Sequence, residues 1–217
     1  MEYCKKILKT LRPAIIITVA LMLLCGLVYP LFMTGVSQAV FPKQANGSLL
    51  TVGDKVVGSR FVGQEFTADY FMKGRPSAVH YNTYQVNEEG EKSYLDGTPF
   101  TGLASGSANY APSNPALQER VQEDMEVFLG ANPDVGKEDI PTDLMTASGS
   151  GLDPHISVES ARIQLPAIAK ASGLSPEVLE KIVSQHTTDK LFGIFGEKTV
   201  NVLEVNMDIA KAMGLVK

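Results

Sequence analysis

The apolar residues divide the chain into a uniformly hydrophobic segment near the N-terminus and a longer region of mixed pattern. No charged residue occurs between Arg12 and Lys43, and the stretch from Pro13 to Met33 is almost entirely apolar. At about 1.5 Å per residue, a helix of this length spans the ~30 Å hydrocarbon core of a bilayer. Pro30 is expected to kink or end that helix near the far interface. The pattern predicts one transmembrane helix over residues 13–34.

A cleaved secretory signal is the competing interpretation of the same segment. Ser37-Gln38-Ala39 has the small-x-small pattern of a signal-peptidase site, and the residues before the apolar run are basic. The apolar run is longer than the roughly 7–15 residues of a signal h-region. We therefore favour an uncleaved membrane anchor.

Two different patterns follow the anchor and a short linker over residues 34–46. Ser48–Val52 and Lys55–Ser59 are β-prone runs around Gly53-Asp54, which predicts a hairpin. Residues 66–112 are rich in Gly, Ser, Asn, Tyr and Pro and have few periodic apolar positions. So long a loop in a compact domain indicates an ordered, functional surface.

Four segments with helical periodicity complete the chain. The predicted helices cover residues 114–130, residues 157–172, a segment beginning at Ser175-Pro176, and a segment beginning near Asn201. Gly173 should stop the second helix and Pro166 should disturb it. The last helix should bury a face that extends to Met213 and Val216. The predicted fold class is α+β, with one N-terminal transmembrane helix followed by a mixed α/β soluble domain over residues 35–217.

Charge and cysteine placement predict the orientation in the membrane. Residues 1–12 carry four basic side chains and one acidic one, a net charge of +3, so the remainder carries −8 of the total of −5. Basic flanks stay in the cytoplasm, which places residues 1–12 inside and residues 35–217 outside the cell membrane. Cys4 and Cys25 are the only cysteines, so the outer domain contains no thiol. An acidic domain is also a poor candidate for binding nucleic acid.

The sequence lacks the motifs of the common enzyme classes. It contains no P-loop, no His-Glu-x-x-His, no Gly-x-Ser-x-Gly and no Cys-x-x-Cys. Asp189-Lys190-Leu191 begins like the phosphorylation motif of P-type ATPases but does not continue as one. His80, His155 and His186 lie far apart, and we interpret each as a hydrogen-bonded structural or surface residue. An independent enzyme on the outer side therefore has no constellation of residues to support it.

One segment of small residues, Ser148, Gly149, Ser150 and Gly151, is the candidate binding site. Consecutive small residues before a helix can direct backbone N–H groups at an anion, as in a phosphate nest. The alternative is a tight turn in which the two glycines adopt positive φ. The residues alone favour the turn.

Several segments together resemble the C subunit of the bacterial Kdp-type potassium-transporting ATPases. The matching pieces cover nearly the whole chain: Leu11-Arg12-Pro13, Tyr29-Pro30-Leu31, Phe41-Pro42, Gln44 to Ser48, Gly74 to Ala78, Pro112 to Pro115, Thr146 to Ser157, His186-Thr187 and Val200 to Glu204. The block from Thr146 to Ser157 behind a single N-terminal span is the most specific of them. Gly106 to Ala111 departs from the family's usual Gly-Gly-Ser-Asn-Leu-Gly, which removes support for a detailed role of that loop.

The resemblance implies an accessory, non-catalytic subunit of a high-affinity, ATP-driven potassium importer. Its partners would be a potassium-translocating subunit, a P-type ATPase subunit and a small single-span subunit, together with membrane lipid. No cofactor would be firmly bound, ATP could be met through the complex, and potassium would be the transported ion of the complex.

The resemblance also implies a role as a catalytic chaperone that raises the affinity of the ATPase subunit for ATP. Direct ATP contact through Ser148–Gly151 is the alternative function. It conflicts with the predicted topology, since cytoplasmic ATP cannot reach an outer domain. The leading hypothesis is a subunit needed for assembly and stabilisation, docked through its span and outer domain.

Overall fold

The computed structural model describes residues 2–216, and side chains from residue 9 onward. The described residues form two units, the first ending at Leu49 and the second beginning at Leu50. Part of the predicted basic N-terminus (residues 1–12), namely Met1 and the side chains of residues 2–8 with Cys4 among them, lies outside the described residues.

The first unit is helical along most of its length. α1 (Glu2–Leu23) passes through one π-helical turn (Leu24–Val28) into α2 (Tyr29–Val40), and a short α3 (Pro42–Ala45) follows. The part from Lys9 to Val40 is long and apolar enough to cross a membrane, and none of it is buried in the protein. The unit is therefore consistent with a single-pass membrane protein.

Pro30 does not end this helix, and the linker predicted over residues 34–46 is largely helical. Helix α2 has Pro30 in its first turn and continues to Val40. A proline ring clashes with the carbonyl of residue i−4, which here is Gly26. Gly26 lies in the π-helical turn, where the wider i→i+5 hydrogen bonding opens the backbone. The proline is thus accommodated by a widened turn.

Two hairpins precede the helices of the second unit. The predicted one is confirmed: β1 (Leu49–Val52) pairs with β2 (Lys55–Ser59), and Gly53 adopts a φ of 57° at the turn. The other was not predicted: β3 (Tyr84–Val86) pairs antiparallel with β4 (Lys92–Tyr94) inside the Gly- and Tyr-rich stretch.

The four predicted helices are present: α4 (Pro115–Ala131), α5 (Val158–Ser172), α6 (Pro176–Gln185) and α7 (Val202–Ala212). Each begins with a side-chain cap, in which a side-chain oxygen accepts a hydrogen bond from a backbone N–H of the first turn; the capping residues are Asn114, Ser157, Ser175 and Asn201. Gly173 ends α5 in the left-handed conformation, as its position predicted.

Two details of the helices differ from the sequence predictions. α5 runs continuously through Pro166, because the packing of its buried face outweighs the lost hydrogen bond. α7 ends at Ala212, so Met213 is only half-buried and Val216 lies beyond the helix.

A small antiparallel sheet joins the C-terminal helices. β5 (His155–Ile156), β6 (Thr187–Thr188) and β7 (Thr199–Asn201) form it in the order β5-β7-β6. Strands of two or three residues contain no readable alternation, so the sequence did not predict them. The main core packs this sheet against the three last helices; its buried members are Met72, Ile156, Ala161, Leu165, Ile168, Leu179, Ile182, Val183, Val200, Val202, Val205 and Ile209. The α+β fold class is confirmed.

Candidate functional site

A cleft of about 950 Å³ opens on the second unit. Its walls are the segment Gly74–Ala78, the loop 107–110, one side of α4, and the segment Leu144–Gly149. α4 is fixed there by a small buried cluster of Phe128, Leu144 and Met145. The cleft is therefore lined in part by residues 66–112, the stretch that the sequence analysis interpreted as a functional surface.

Two buried side-chain amides hold the chain that leads into the cleft. Asn206 of α7 donates to Met72 O at 2.8 Å and accepts from Met72 N at 2.8 Å. Gln164 of α5 makes the same pair of hydrogen bonds to the next residue: it accepts from Lys73 N at 2.8 Å and donates to Lys73 O at 3.2 Å. The exposed fractions of Asn206 and Gln164 are 1% and 3%. We call Gln164 and Asn206 the amide clamp. Their side chains supply the hydrogen bonds that a neighbouring β-strand would otherwise supply to the backbone of residues 72 and 73.

A left-handed turn lies at one end of the cleft. His80, Tyr81 and Asn82 have φ values of 48°, 52° and 54°. Positive φ is uncommon outside glycine and costs roughly 1–3 kcal/mol per residue when the surrounding structure imposes it. Ser77 Oγ stabilises the turn by accepting from Val79 N at 3.2 Å and Tyr81 N at 3.0 Å.

The Tyr81 ring locks this turn against the cleft wall. Its hydroxyl donates to Arg75 O at 2.7 Å. A Cβ at Gly63 would lie 2.5 Å from Tyr81 Cε1, and one at Gly74 would lie 2.7 Å from the Tyr81 hydroxyl. Burial raises the pKa of Tyr81, so the phenol stays neutral and can donate its hydrogen bond to the backbone carbonyl of Arg75.

Arg75 and Asp153 connect the cleft to the Ser/Gly segment. Arg75 Nε and Nη2 each donate to Thr146 O at 3.2 Å, and Arg75 Nη1 lies 3.7 Å from Asp153 Oδ2. Burial acts to raise the pKa of Asp153, but hydrogen bonds from His155 and Ser148 and the Arg75 charge outweigh it, so that the pKa is lowered. Asp153 is therefore ionised and holds the arginine in place at neutral pH.

The Ser/Gly segment is divided between the cleft and the interior. Ser148 and Gly149 line the cleft, whereas Gly151 is buried. Three successive backbone N–H groups already have acceptors within the chain: Ser150 N donates to Ser148 Oγ at 3.5 Å, Gly151 N to Ser105 O at 3.0 Å, and Leu152 N to Ser150 Oγ at 3.1 Å. These groups would have to exchange partners before they could bind an anion.

The expectation that both glycines need positive φ is wrong. Neither Gly149 nor Gly151 is among the residues with positive φ. Gly149 faces open space, but a Cβ at Gly151 would lie 2.5 Å from Val79 Cγ2 and 2.8 Å from Gly106 O. Glycine is needed at position 151 because these neighbouring atoms leave no room for a Cβ. The carbonyl of Gly151 also accepts from Ser77 Oγ at 2.7 Å.

His80, His155 and His186 each lie near a carboxylate, a pairing that the sequence did not predict. His186 Nε2 lies 2.7 Å from Asp208 Oδ2, and His80 lies 3.9 Å from Glu65 and 3.8 Å from Asp96. Burial raises the pKa of Glu65 against the opposing charge of His80. Among the described side chains, residues 9–216, no group of three or more His, Cys, Asp or Glu is placed to hold a metal ion.

Sequence reasoning missed the amide clamp and the left-handed turn. A signal existed for Asn206, which is a polar position on the otherwise apolar buried face of α7, whereas Gln164 shares its face of α5 with the polar Ser160. His and Asn are enriched at positive φ but Tyr is not, so the residue types did not mark three successive left-handed residues.

The described residues thus define a class of protein with one helix able to cross a membrane and a compact α+β domain built around a cleft. Residues 11–211 match the family described as KdpC, the c chain of the K⁺-transporting ATPase. The chain belongs to this family, which confirms the resemblance of its motifs. It is a non-catalytic subunit of the P-type potassium ATPase.

Similar proteins support the same assignment along almost the full length. The potassium-transporting ATPase KdpC subunit of Clostridium kluyveri is 58% identical over 207 residues, covering 95% of this chain and 96% of its own. That of Clostridioides difficile is 55% identical over 209 residues, covering 96% and 100%. That of Rhodopseudomonas palustris strain BisB18 is 43% identical, covering 94% and 99%.

Proposed function

We propose that this chain is needed to assemble and stabilise a potassium-import complex, with its second unit outside the cell membrane and docked on the potassium-translocating subunit. The P-type ATPase subunit and a small single-span subunit complete the proposed complex. The observation that carries the proposal is the charge distribution around the apolar helix, +3 before it and −8 after it. Positively charged flanks are retained in the cytoplasm during insertion.

Thiol accessibility tests this orientation. A chain carrying Ser105→Cys, with Cys4 and Cys25 replaced by serine, should react with a membrane-impermeant maleimide in intact spheroplasts. Ser105 is exposed, and the background removes both native thiols. The measurement is mass-tag labelling before and after lysis.

The matched control keeps Cys4 as the only thiol, through Cys25→Ser. It should label only after lysis, because residues 1–12 are proposed to be cytoplasmic. The reverse pattern, with Cys4 labelled in intact spheroplasts and the Ser105→Cys chain labelled only after lysis, contradicts the proposed orientation.

We further propose that the chain acts as a catalytic chaperone through its membrane partners. From the outer side it would raise the ATP affinity of the ATPase subunit by stabilising the assembled state. Removing the subunit should then raise the KM for ATP of whatever complex still assembles. The exposed apolar helix favours this route, because contacts with neighbouring helices reach across the membrane.

Direct nucleotide contact through Ser148–Gly151 stays a prediction, and it has a separate test. We expect no saturable heat when purified full-length chain in detergent is titrated with Mg-ATP, because the N–H groups of Ser150 and Gly151, and that of the following Leu152, are already bonded. Binding that is lost in Ser148→Ala but kept in Ser107→Ala, a second serine lining the cleft, would instead support nucleotide contact.

A further inference from the structure

The connection between β6 and β7 presents an exposed apolar tip, Leu191–Phe195. The exposed fractions of its large side chains are 63% for Leu191, 84% for Phe192, 74% for Ile194 and 64% for Phe195. Four side chains of this size expose on the order of 500 Å² together. Contiguous apolar patches of several hundred Å² mark interaction sites on soluble surfaces.

The tip has a fixed shape. Leu191 and Phe195 form an antiparallel bridge with backbone hydrogen bonds of 2.8 and 3.0 Å, and Gly193 N donates to Lys190 O at 2.9 Å. The following strand enters the core, where Val200 is fully buried. A preformed element loses little conformational entropy on binding, which favours a specific complex.

Phe192 occupies this tip at a conformational cost. Its φ is 54°, a region that suits glycine or asparagine and disfavours a bulky aromatic side chain. The residue is also the most exposed of the large hydrophobic side chains described. A contact that buries the Phe192 side chain would compensate for both costs.

The charges around the tip disfavour a bilayer surface as the occupant. Peripheral binding to anionic lipid draws on basic residues beside the apolar contact. Here Lys190 lies 3.0 Å from Glu197, and Lys198 lies 2.7 Å from Asp189. The base of the tip is therefore neutral, within a region that carries −8 overall.

A second copy of the chain is also a poor occupant. Two facing tips would bury at most about 1,000 Å², below the roughly 1,200–2,000 Å² of specific interfaces. An apolar centre ringed by balanced charges instead matches one side of a hetero-complex, in which an aromatic anchor fills a pocket and polar groups form the rim.

We propose that the apolar tip inserts into an apolar pocket on the outward-facing surface of the potassium-translocating subunit, with the two Lys–carboxylate pairs at the rim. This inference rests on the proposed function, which places the second unit on that side of the membrane. Phe192 is the central anchor and Ile194 its neighbour.

Photo-crosslinking in the assembled complex tests the occupant. p-Benzoylphenylalanine at position 192, in full-length chain coexpressed with the other subunits, should form an adduct with the potassium-translocating subunit upon irradiation of membranes. The same probe at Leu103, which is 82% exposed and lies outside the tip, should not. An adduct with lipid alone, an adduct with a second copy, or no adduct at position 192 overturns the proposal.

A substitution gives an independent readout. Phe192→Asn relieves the positive φ, so the melting temperature of the purified chain should stay equal or rise, while recovery of the potassium-translocating subunit with the tagged chain falls at least about tenfold. Ile194→Ser should lower recovery too, and Leu103→Ser should not. Recovery unchanged in both tip variants overturns the proposal.

The thiol experiment separates this inference from the proposed function. If the Ser105→Cys chain labels from outside and the complex assembles without the tip, the docking contact lies elsewhere and only the inference fails. If that chain labels only after lysis, the proposed function fails, and the inference fails with it.

Discussion

Replacing Asn206 by alanine is expected to lower the free energy of unfolding by about 3–4 kcal/mol. The substitution removes both hydrogen bonds to Met72 in a fully buried position. Each orphaned backbone group costs about 1–3 kcal/mol, and the cavity adds to this loss. Because Met72 leads into Gly74–Ala78, one wall of the cleft should loosen as well.

Thermal unfolding of the full-length chain in detergent, followed by circular dichroism, measures this effect. Gln118→Ala, an exposed amide on α4, is the control and should stay within about 0.5 kcal/mol of the wild type. Asn206→Asp keeps the acceptor but loses the donor and buries a charge, so it should also destabilise. A loss below about 1 kcal/mol in Asn206→Ala would show that the clamp contributes little.

Valine substitutions at Gly151 and Gly149 should differ in their effect on the free energy of unfolding. Gly151→Val is expected to destabilise the second unit by at least about 3 kcal/mol, because its Cβ would meet Gly106 O at 2.8 Å and Val79 Cγ2 at 2.5 Å. The shift would also disturb the hydrogen bonds of Gly151 to Ser105 and Ser77.

Gly149→Val is the matched control, since Gly149 faces open space without positive φ. It should change the free energy of unfolding by less than about 1 kcal/mol. Where Gly151→Val yields no folded protein, Gly151→Ala compared with Gly149→Ala gives the same comparison with a smaller side chain. Equal effects at the two positions would mean that the packing around Gly151 relaxes and the close approach is not restrictive.

The elements that the sequence predicted are those with local signals. Helices α4 to α7 each have a capping residue at the start and an apolar stripe, and the first hairpin has β-prone runs on both sides of Gly53-Asp54. These signals depend on residues within a few positions of one another, so they survive without knowledge of the fold.

Several features that escaped prediction depend on residues far apart in the chain. β5 and β7 pair His155 with Asn201, and each strand is too short to show alternation. The left-handed turn is local, but side-chain hydrogen bonds of Ser77 and Tyr81 hold it rather than a glycine. At the candidate site, the sequence identified the Ser/Gly segment but attributed its glycines to turn geometry, whereas Gly151 is set by neighbouring backbone.

The long separation between Asn206 and Met72 has a consequence for the order of folding. The two residues are 134 positions apart, and Asn206 lies in the last helix of the chain. Contacts between residues so far apart in sequence form late in folding, because the entropy of closing a long loop is lost before the contact stabilises the domain. The wall of the cleft can therefore be completed only after α7 has been synthesised. Until then the domain is not fully folded, so its chain can still cross the membrane in an extended form. This suits a segment that is proposed to be exported after its membrane anchor.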